Sequence, residues 1–254
     1  MKIGIIQGRL SEPKEGFQDT PTDWKREFED LKKNNLNHIE WIITKDSFNN
    51  NPFFKENLKN FPIHAVCADN LVDTSIDSFL FVSNNLDPIC VSALNNDIKY
   101  ITVPLLEDSN LLDNKKRERF KDILMYFAKK YPDINFSLEA ELPVTMLKEL
   151  LVTKNVSVTY DTGNITSCGY NHIEYIEEVF DKISNVHLKD RTFDGNTVVP
   201  TTGNTDFETI FKTLIKNNYQ KIFTLQTARE EEGKELETIK KHTDLLRGVY
   251  EKCI

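Results

Sequence analysis

A chain of 254 residues is long for an ordinary domain but fits a closed barrel of eight strand-helix units, so length does not require two domains. With 39% hydrophobic and 28% charged residues it can bury a core beneath a well-solvated surface, which excludes disorder. The formal charge of −8 opposes the phosphates of nucleic acid and an anionic membrane, although a local basic pocket could still hold one small anion.

The amino terminus, MKIGIIQGRL, is too short an apolar run for a signal peptide and lacks a cleavage site, so residues 2–7 read as a first strand. A helix over 23–34 follows, opened by Thr22 ahead of Asp23 and Trp24. The second strand, 38–43, leads into NNNPFF and the weakest helix, 52–60. Then come strand 61–68 with helix 75–95, strand 100–105 with helix 114–130, strand 135–140 with helix 143–153, and strand 156–161 with helix 172–182. The seventh strand, 185–190, is separated from helix 206–217 by a long segment, 191–205, carrying Gly195 and Gly203. Thr205 is the start signal of that helix. Strand 221–226 and helix 234–252 close the series.

Eight such units in alternation predict parallel strands with crossover helices, an α/β fold with a single (β/α)8 TIM barrel over residues 1–254. An open doubly wound sheet shares the rhythm but wants a Gly-rich turn after its first strand, and this one reads Gly8-Arg9-Leu10-Ser11-Glu12-Pro13. No apolar stretch approaches the roughly 20 residues of a membrane helix. Cys67, Cys90, Cys168 and Cys253 form no CxxC pair, which argues against a zinc knuckle or a disulfide framework and fits a reducing compartment. The expectation is a cytoplasmic protein, with a homo-oligomer left open.

In a barrel, polar residues at the carboxyl ends of the strands converge on one mouth. Four consecutive ends carry ligand atoms: Glu139, Asp161, His187 and Gln226. Neighbouring strands lie about 4.8 Å apart, so these can wrap one divalent cation, with Mn2+, Mg2+, Co2+ and Zn2+ all chemically reasonable. Taken singly, each is more simply a polar strand cap. Taken jointly, Glu139 stands in an apolar strand, Asp161 precedes Thr-Gly-Asn in a tight turn, and His187 is flanked by Val186 and Leu188. A charge in such a setting costs several kcal/mol unless it finds a partner, and a metal is one.

Other residues at the mouth are weighed the same way. Arg9, Lys189, Arg191 and Arg229 follow strands one, seven and eight and are placed to hold a phosphate or carboxylate, against a plain reading as solvated surface cations. Segment 191–205 is a candidate lid, and Phe17 in the first loop a candidate cover. His64, within the third strand, is as reasonable a core histidine as a substrate contact. Glu40 and Trp41 face opposite sides of the second strand.

The fragments Ile6-Gln7-Gly8-Arg9-Leu10-Ser11, Ile39-Glu40-Trp41, Val66-Cys67-Ala68-Asp69, Tyr160-Asp161-Thr162-Gly163-Asn164, Val186-His187-Leu188-Lys189-Asp190-Arg191 and Leu225-Gln226-Thr227-Ala228-Arg229 resemble the sugar phosphate isomerase/epimerase group of the xylose isomerase-like TIM barrels. The resemblance runs the whole chain, and the QGRLS start points to a branch described as hexulose-phosphate isomerases. It implies a carbohydrate substrate and one metal ion held by Glu139, Asp161, His187 and the position of Gln226. It also implies that Glu40 faces the barrel interior and that Gln7, Asp69 and Asn164 join the substrate contacts.

Gln226 departs from the family, whose fourth ligand is a second glutamate. An amide oxygen can ligate a metal but brings no charge and accepts no proton near neutral pH. The two-base scheme of related epimerases loses a member, which tilts the expectation toward aldose-ketose isomerisation by one base through an enediolate. Glu139 is that base, with Lys189 as a further catalytic candidate and Glu107, Glu141 or Asp69 as replacements for the missing carboxylate. A 3-epimerase, a dehydratase and an inactive sugar-binding barrel are the alternatives. An abasic-site endonuclease on this barrel needs several histidines at strand ends. Of His38, His64, His172, His187 and His242, three fall at a strand start or on helices.

Overall fold

The structure is a computed structural model that describes residues 1–13 and 20–254. Strands β1 (Lys2–Ile6), β2 (Ile39–Ile42), β3 (Ile63–Cys67), β4 (Tyr100–Leu105), β5 (Asn135–Ala140), β6 (Val156–Asp161) and β7 (Ile183–Leu188) recur along the chain. A short antiparallel hairpin of β8 (Asp190–Arg191) and β9 (Thr197–Val198) precedes the last strand, β10 (Ile222–Leu225). The eight longer strands close a barrel in the order β1-β10-β7-β6-β5-β4-β3-β2. Between them run α1 (Trp24–Lys33), α2 (Phe79–Asn95), α3 (Asn114–Lys130), α4 (Val144–Lys148), α5 (Thr162–Ser167), α6 (His172–Val179), α7 (Phe207–Lys216) and α8 (Glu235–Glu251). None of the described helices is long and apolar enough to cross a membrane.

The chain forms two compact units, residues 1–39 with 160–254, and residues 40–159. In the first, β1, β10 and β7 pair in parallel, Ile3 beside Phe223 and Phe223 beside Val186. In the second, β3, β4 and β5 do the same, Val66 beside Ile101 and Ile101 beside Phe136. All of these paired residues are buried, because a strand sends alternate side chains to opposite faces and this set packs beneath the helices.

The other face of the strands is polar. Thr102 donates to Glu40 Oε1 at 2.6 Å, Ser137 and Thr159 hydroxyls meet at 2.6 Å, and Ser157 donates to Asn135. Likewise, Thr224 bonds both Asn185 Oδ1 and His38 Nε2 at 3.1 Å. Barrel interiors are more often filled by branched aliphatic residues. Here hydroxyl, amide and imidazole groups satisfy one another, which removes the cost of burying them. Gly4 belongs to this layer, and a Cβ built there would overlap the His38 ring. Gly4→Ala should therefore lower stability by about 2 kcal/mol through overpacking, read as a shifted denaturation midpoint. An unchanged midpoint would contradict this packing.

Several sequence expectations shift in detail. The seventh strand begins and ends two residues earlier than 185–190, and 52–60 holds only a 3-10 turn, Pro52–Phe54. The caps are one residue later than expected: Asp23 accepts from Arg26 N, and Asp206 from Thr209 N. The turn expected after Asp161 is instead the start of α5, and segment 191–205 carries the β8-β9 hairpin.

Candidate metal centre

Asp161 ends β6 and caps α5 in the same stroke. Its Oδ1 accepts the Asn164 backbone N–H at 2.7 Å, satisfying an orphan donor of the helix start. Its Oδ2 faces Lys189 Nζ at 3.1 Å and His187 Nδ1 at 3.9 Å. The side chains of Asp161, His187 and Lys189 are 1%, 0% and 4% exposed. Burial alone would push the Asp161 carboxyl up. The charge of Lys189 foremost, then His187, Arg191 and the Asn164 N–H, outweighs it and holds the group below the ordinary carboxylate range.

Glu139, the penultimate residue of β5, is likewise buried. Glu139, Asp161 and His187 each offer one ligand atom, and these atoms all lie within 4.8 Å of one another. Among the described residues this is the one group of three or more His, Cys, Asp and Glu so arranged. Two carboxylates and an imidazole, dry and convergent, are a donor set that fits a hard or borderline divalent cation.

Two motifs of the sequence, far apart in the chain, build one device. Thr162 Oγ1 brackets the Lys189 backbone, donating to its carbonyl at 2.6 Å and accepting from its N–H at 3.0 Å. Gly163 leaves room for the lysine stem: an added Cβ would stand 2.8 Å from Lys189 Cγ and 3.1 Å from Arg191 Cγ. Asn164 Oδ1 lies 3.5 Å from Lys189 Nζ. YDTGN and HLKDR are thus two halves of a cradle.

Gln226, just past β10, is 4% exposed and its N–H donates to the Leu188 carbonyl at 3.1 Å. Leu225 pairs with Leu188, so Gln226 stands level with Lys189. Asp190 accepts from Gly203 N at 2.9 Å and Thr205 N at 3.1 Å, pinning both ends of the candidate lid, while Phe193 on it is exposed. Arg191 reaches Ser167 Oγ at 3.4 Å.

Other candidates sit elsewhere. Glu40 is fully buried against Thr102. His64 is the second residue of β3, stacked on Tyr100 with ring centroids 4.9 Å apart, about 10 Å short of the strand's carboxyl end at the usual rise. Burial lowers its pKa against the opposing pull of Glu40. Asp69 and Glu141 are half-buried, while Glu107 is exposed at φ +47, and none of the three joins the carboxylate group. Phe17 lies outside the described residues.

The QGRLS segment is held by a residue that the sequence reading missed. Glu27 on α1 accepts from Gly8 N at 3.0 Å, Leu10 N at 3.2 Å and Ser11 Oγ at 2.9 Å. Arg229 donates to the Gly8 carbonyl at 2.6 Å and the Ser11 carbonyl at 2.9 Å. Gly8, at φ +87, makes the turn. Gln7 and Arg9, both buried, ride on this clamped loop. A signal was available: Glu27 occupies an apolar-face position with Trp24, Phe28 and Leu31, at helical spacing.

Burial raises the Glu27 pKa from 4.5 to about 7, against the opposing hydrogen bonds and the Arg229 charge. A carboxyl whose folded pKa exceeds its unfolded one keeps its proton longer in the native state, so stability falls as pH rises through that window. Relative to Glu27→Gln, the wild type should lose roughly 3 kcal/mol between about pH 4.5 and 7 and stay level above. Urea midpoints across that range check it, and parallel curves for the two proteins would contradict it.

Comparison with known proteins agrees with the barrel fold. Residues 133–248 match a family model described as xylose isomerase-like TIM barrel. An inosose dehydratase of Clostridium botulinum (strain Eklund 17B / Type B) is 32% identical over 83 residues, covering 26% of this chain and only 28% of that relative's length. The structure of IOLI protein with a bound zinc atom aligns at TM-score 0.76 and 16% identity, over 100% of this chain and 99% of that one. The apo 3-keto-D-glucoside 4-epimerase of E. coli aligns at TM-score 0.73 and 17% identity, over 98% and 99%. At such identities the structural likeness speaks for the fold. The closed strand order is that of a TIM barrel, and the stretch that matches the xylose isomerase-like family model, residues 133–248, holds Asp161, His187 and Gln226.

Proposed function

We propose that this chain is a metal-dependent enzyme that shifts a carbon-bound proton beside the carbonyl of a small polyhydroxy compound, an aldose-ketose isomerase for a sugar or sugar phosphate. The observation that carries the reading is the buried convergence of Glu139, Asp161 and His187. A divalent ion held by these three, with Gln226 as fourth ligand, would supply Lewis-acid stabilisation of negative charge developing on a substrate oxygen.

The protein's own groups divide the remaining work. Asp161 is engaged by the Asn164 N–H and Lys189, so the proton-moving role falls to a carboxylate oxygen of Glu139. That oxygen takes the proton from the carbon next to the carbonyl and returns it to the carbonyl carbon on the same face, while the hydroxyl proton on the first carbon's oxygen passes to the former carbonyl oxygen. The Gln226 amide has no basic atom with which to serve the opposite face, and inversion at a carbon needs a second acid there. One base supports isomerisation. Arg191, on the pinned hairpin, is the candidate anion contact for a phosphorylated substrate.

A second reading is supported by the 83-residue match to inosose dehydratase. Dehydration begins with the same proton abstraction and ends with loss of a β-hydroxyl as water. The test is incubation of metal-loaded protein with aldoses, ketoses, their phosphates and cyclic ketoses in deuterated water. Deuterium on the carbon that flanks the carbonyl, with aldose and ketose interconverting, is the expected result. An enone product would favour the dehydratase, and no carbon-bound exchange with any substrate would rule out both.

A further inference from the structure

We infer that Lys189 is a tethered cation of the metal centre: its ammonium holds Asp161 when no divalent ion is present and competes with the ion for the same carboxylate oxygen. This rests on the metal reading proposed above. The geometry that points to it lies within one unit of the fold. Lys189 Nζ stands 3.1 Å from Asp161 Oδ2, the oxygen that also faces His187 Nδ1 at 3.9 Å, and both partners of the ion pair are almost wholly buried.

A carboxylate as buried as Asp161 is costly to keep charged without a counter-charge, so some cation must be at hand before a metal arrives. The chain supplies one and builds it in place. Thr162 fixes the Lys189 backbone from both sides, the missing side chain of Gly163 admits its stem, and Asn164 Oδ1 flanks its nitrogen. A lysine meant only to meet solvent anions would not need three consecutive residues of another strand end to aim it inward. The arrangement also fits the neutral Gln226 level with it: a third carboxylate is absent where a positive charge already stands.

A positive charge at ligand distance from Asp161 repels a divalent ion, so binding becomes an exchange in which Nζ gives up Oδ2. Removing the charge should tighten binding. Zn2+ and Mn2+ titrations against a chelating dye, with thermal melts of the metal-free proteins, give a readout independent of turnover. Lys189→Met should bind both ions about tenfold or more tightly than wild type, melt lower without metal, and recover on loading. Lys189→Arg, which keeps the charge, should stay close to wild type. Gly163→Ala, which crowds the stem, should shift affinity in the same direction as Lys189→Met but less, and serves if the methionine variant does not fold. Equal or weaker binding by both Lys189→Met and Gly163→Ala would overturn the inference while leaving the metal centre intact. Absence of binding by every protein, wild type included, would overturn the metal reading and this inference with it.

Discussion

Glu139→Gln should slow solvent deuterium exchange into the substrate by about 100- to 10,000-fold, the span that a positioned general base contributes. The substitution keeps the shape and one ligand oxygen of the side chain while removing its capacity to hold a proton. Glu139 sits in the middle of a well-satisfied interior: Ser137, two residues before it, bonds Thr159, and Pro104 is its partner on β4. The barrel should therefore survive. Exchange followed by proton NMR, beside far-UV circular dichroism, separates the chemical defect from a folding one. Exchange within a few-fold of wild type would show that Glu139 is not the base.

Asp161→Asn should be the more damaging change to the molecule itself. It leaves Lys189 buried without its counter-charge, a situation that typically costs about 3–5 kcal/mol. Asparagine is a good helix cap, so α5 should persist and the loss should fall on the ion pair rather than on the cap. Divalent-ion affinity should drop together with stability, because the site forfeits one of its two carboxylates. Chemical denaturation with and without Zn2+ reads both effects. A stability loss below about 1 kcal/mol would mean that the Lys189-Asp161 contact is a solvated pair of little worth.

Much of this was legible in the sequence. The barrel followed from eight alternating segments, because strand and helix periods differ and each strand ended in polar residues. The convergence of Glu139, Asp161 and His187 was legible for the same reason: strand ends of a barrel meet wherever the chain separates them. Less legible were features set by tertiary neighbours. Asp161 looked like the start of a tight turn because a following Gly163 is a poor helix former, yet Gly163 is there to admit Lys189. Arg229 looked like a mouth cation, but two of its donors hold the carbonyls of Gly8 and Ser11. His64 gave no sign of its height in the strand, since periodicity reports a face and not a level.

The most direct test is to titrate the purified, metal-stripped protein with Mn2+ or Zn2+ and locate the ion by anomalous diffraction. One ion per chain, with Glu139, Asp161 and His187 as its ligands and no ion bound in His187→Ala, is the predicted result. An ion bound elsewhere, or none at all at concentrations that saturate ordinary divalent-metal enzymes, would contradict the account.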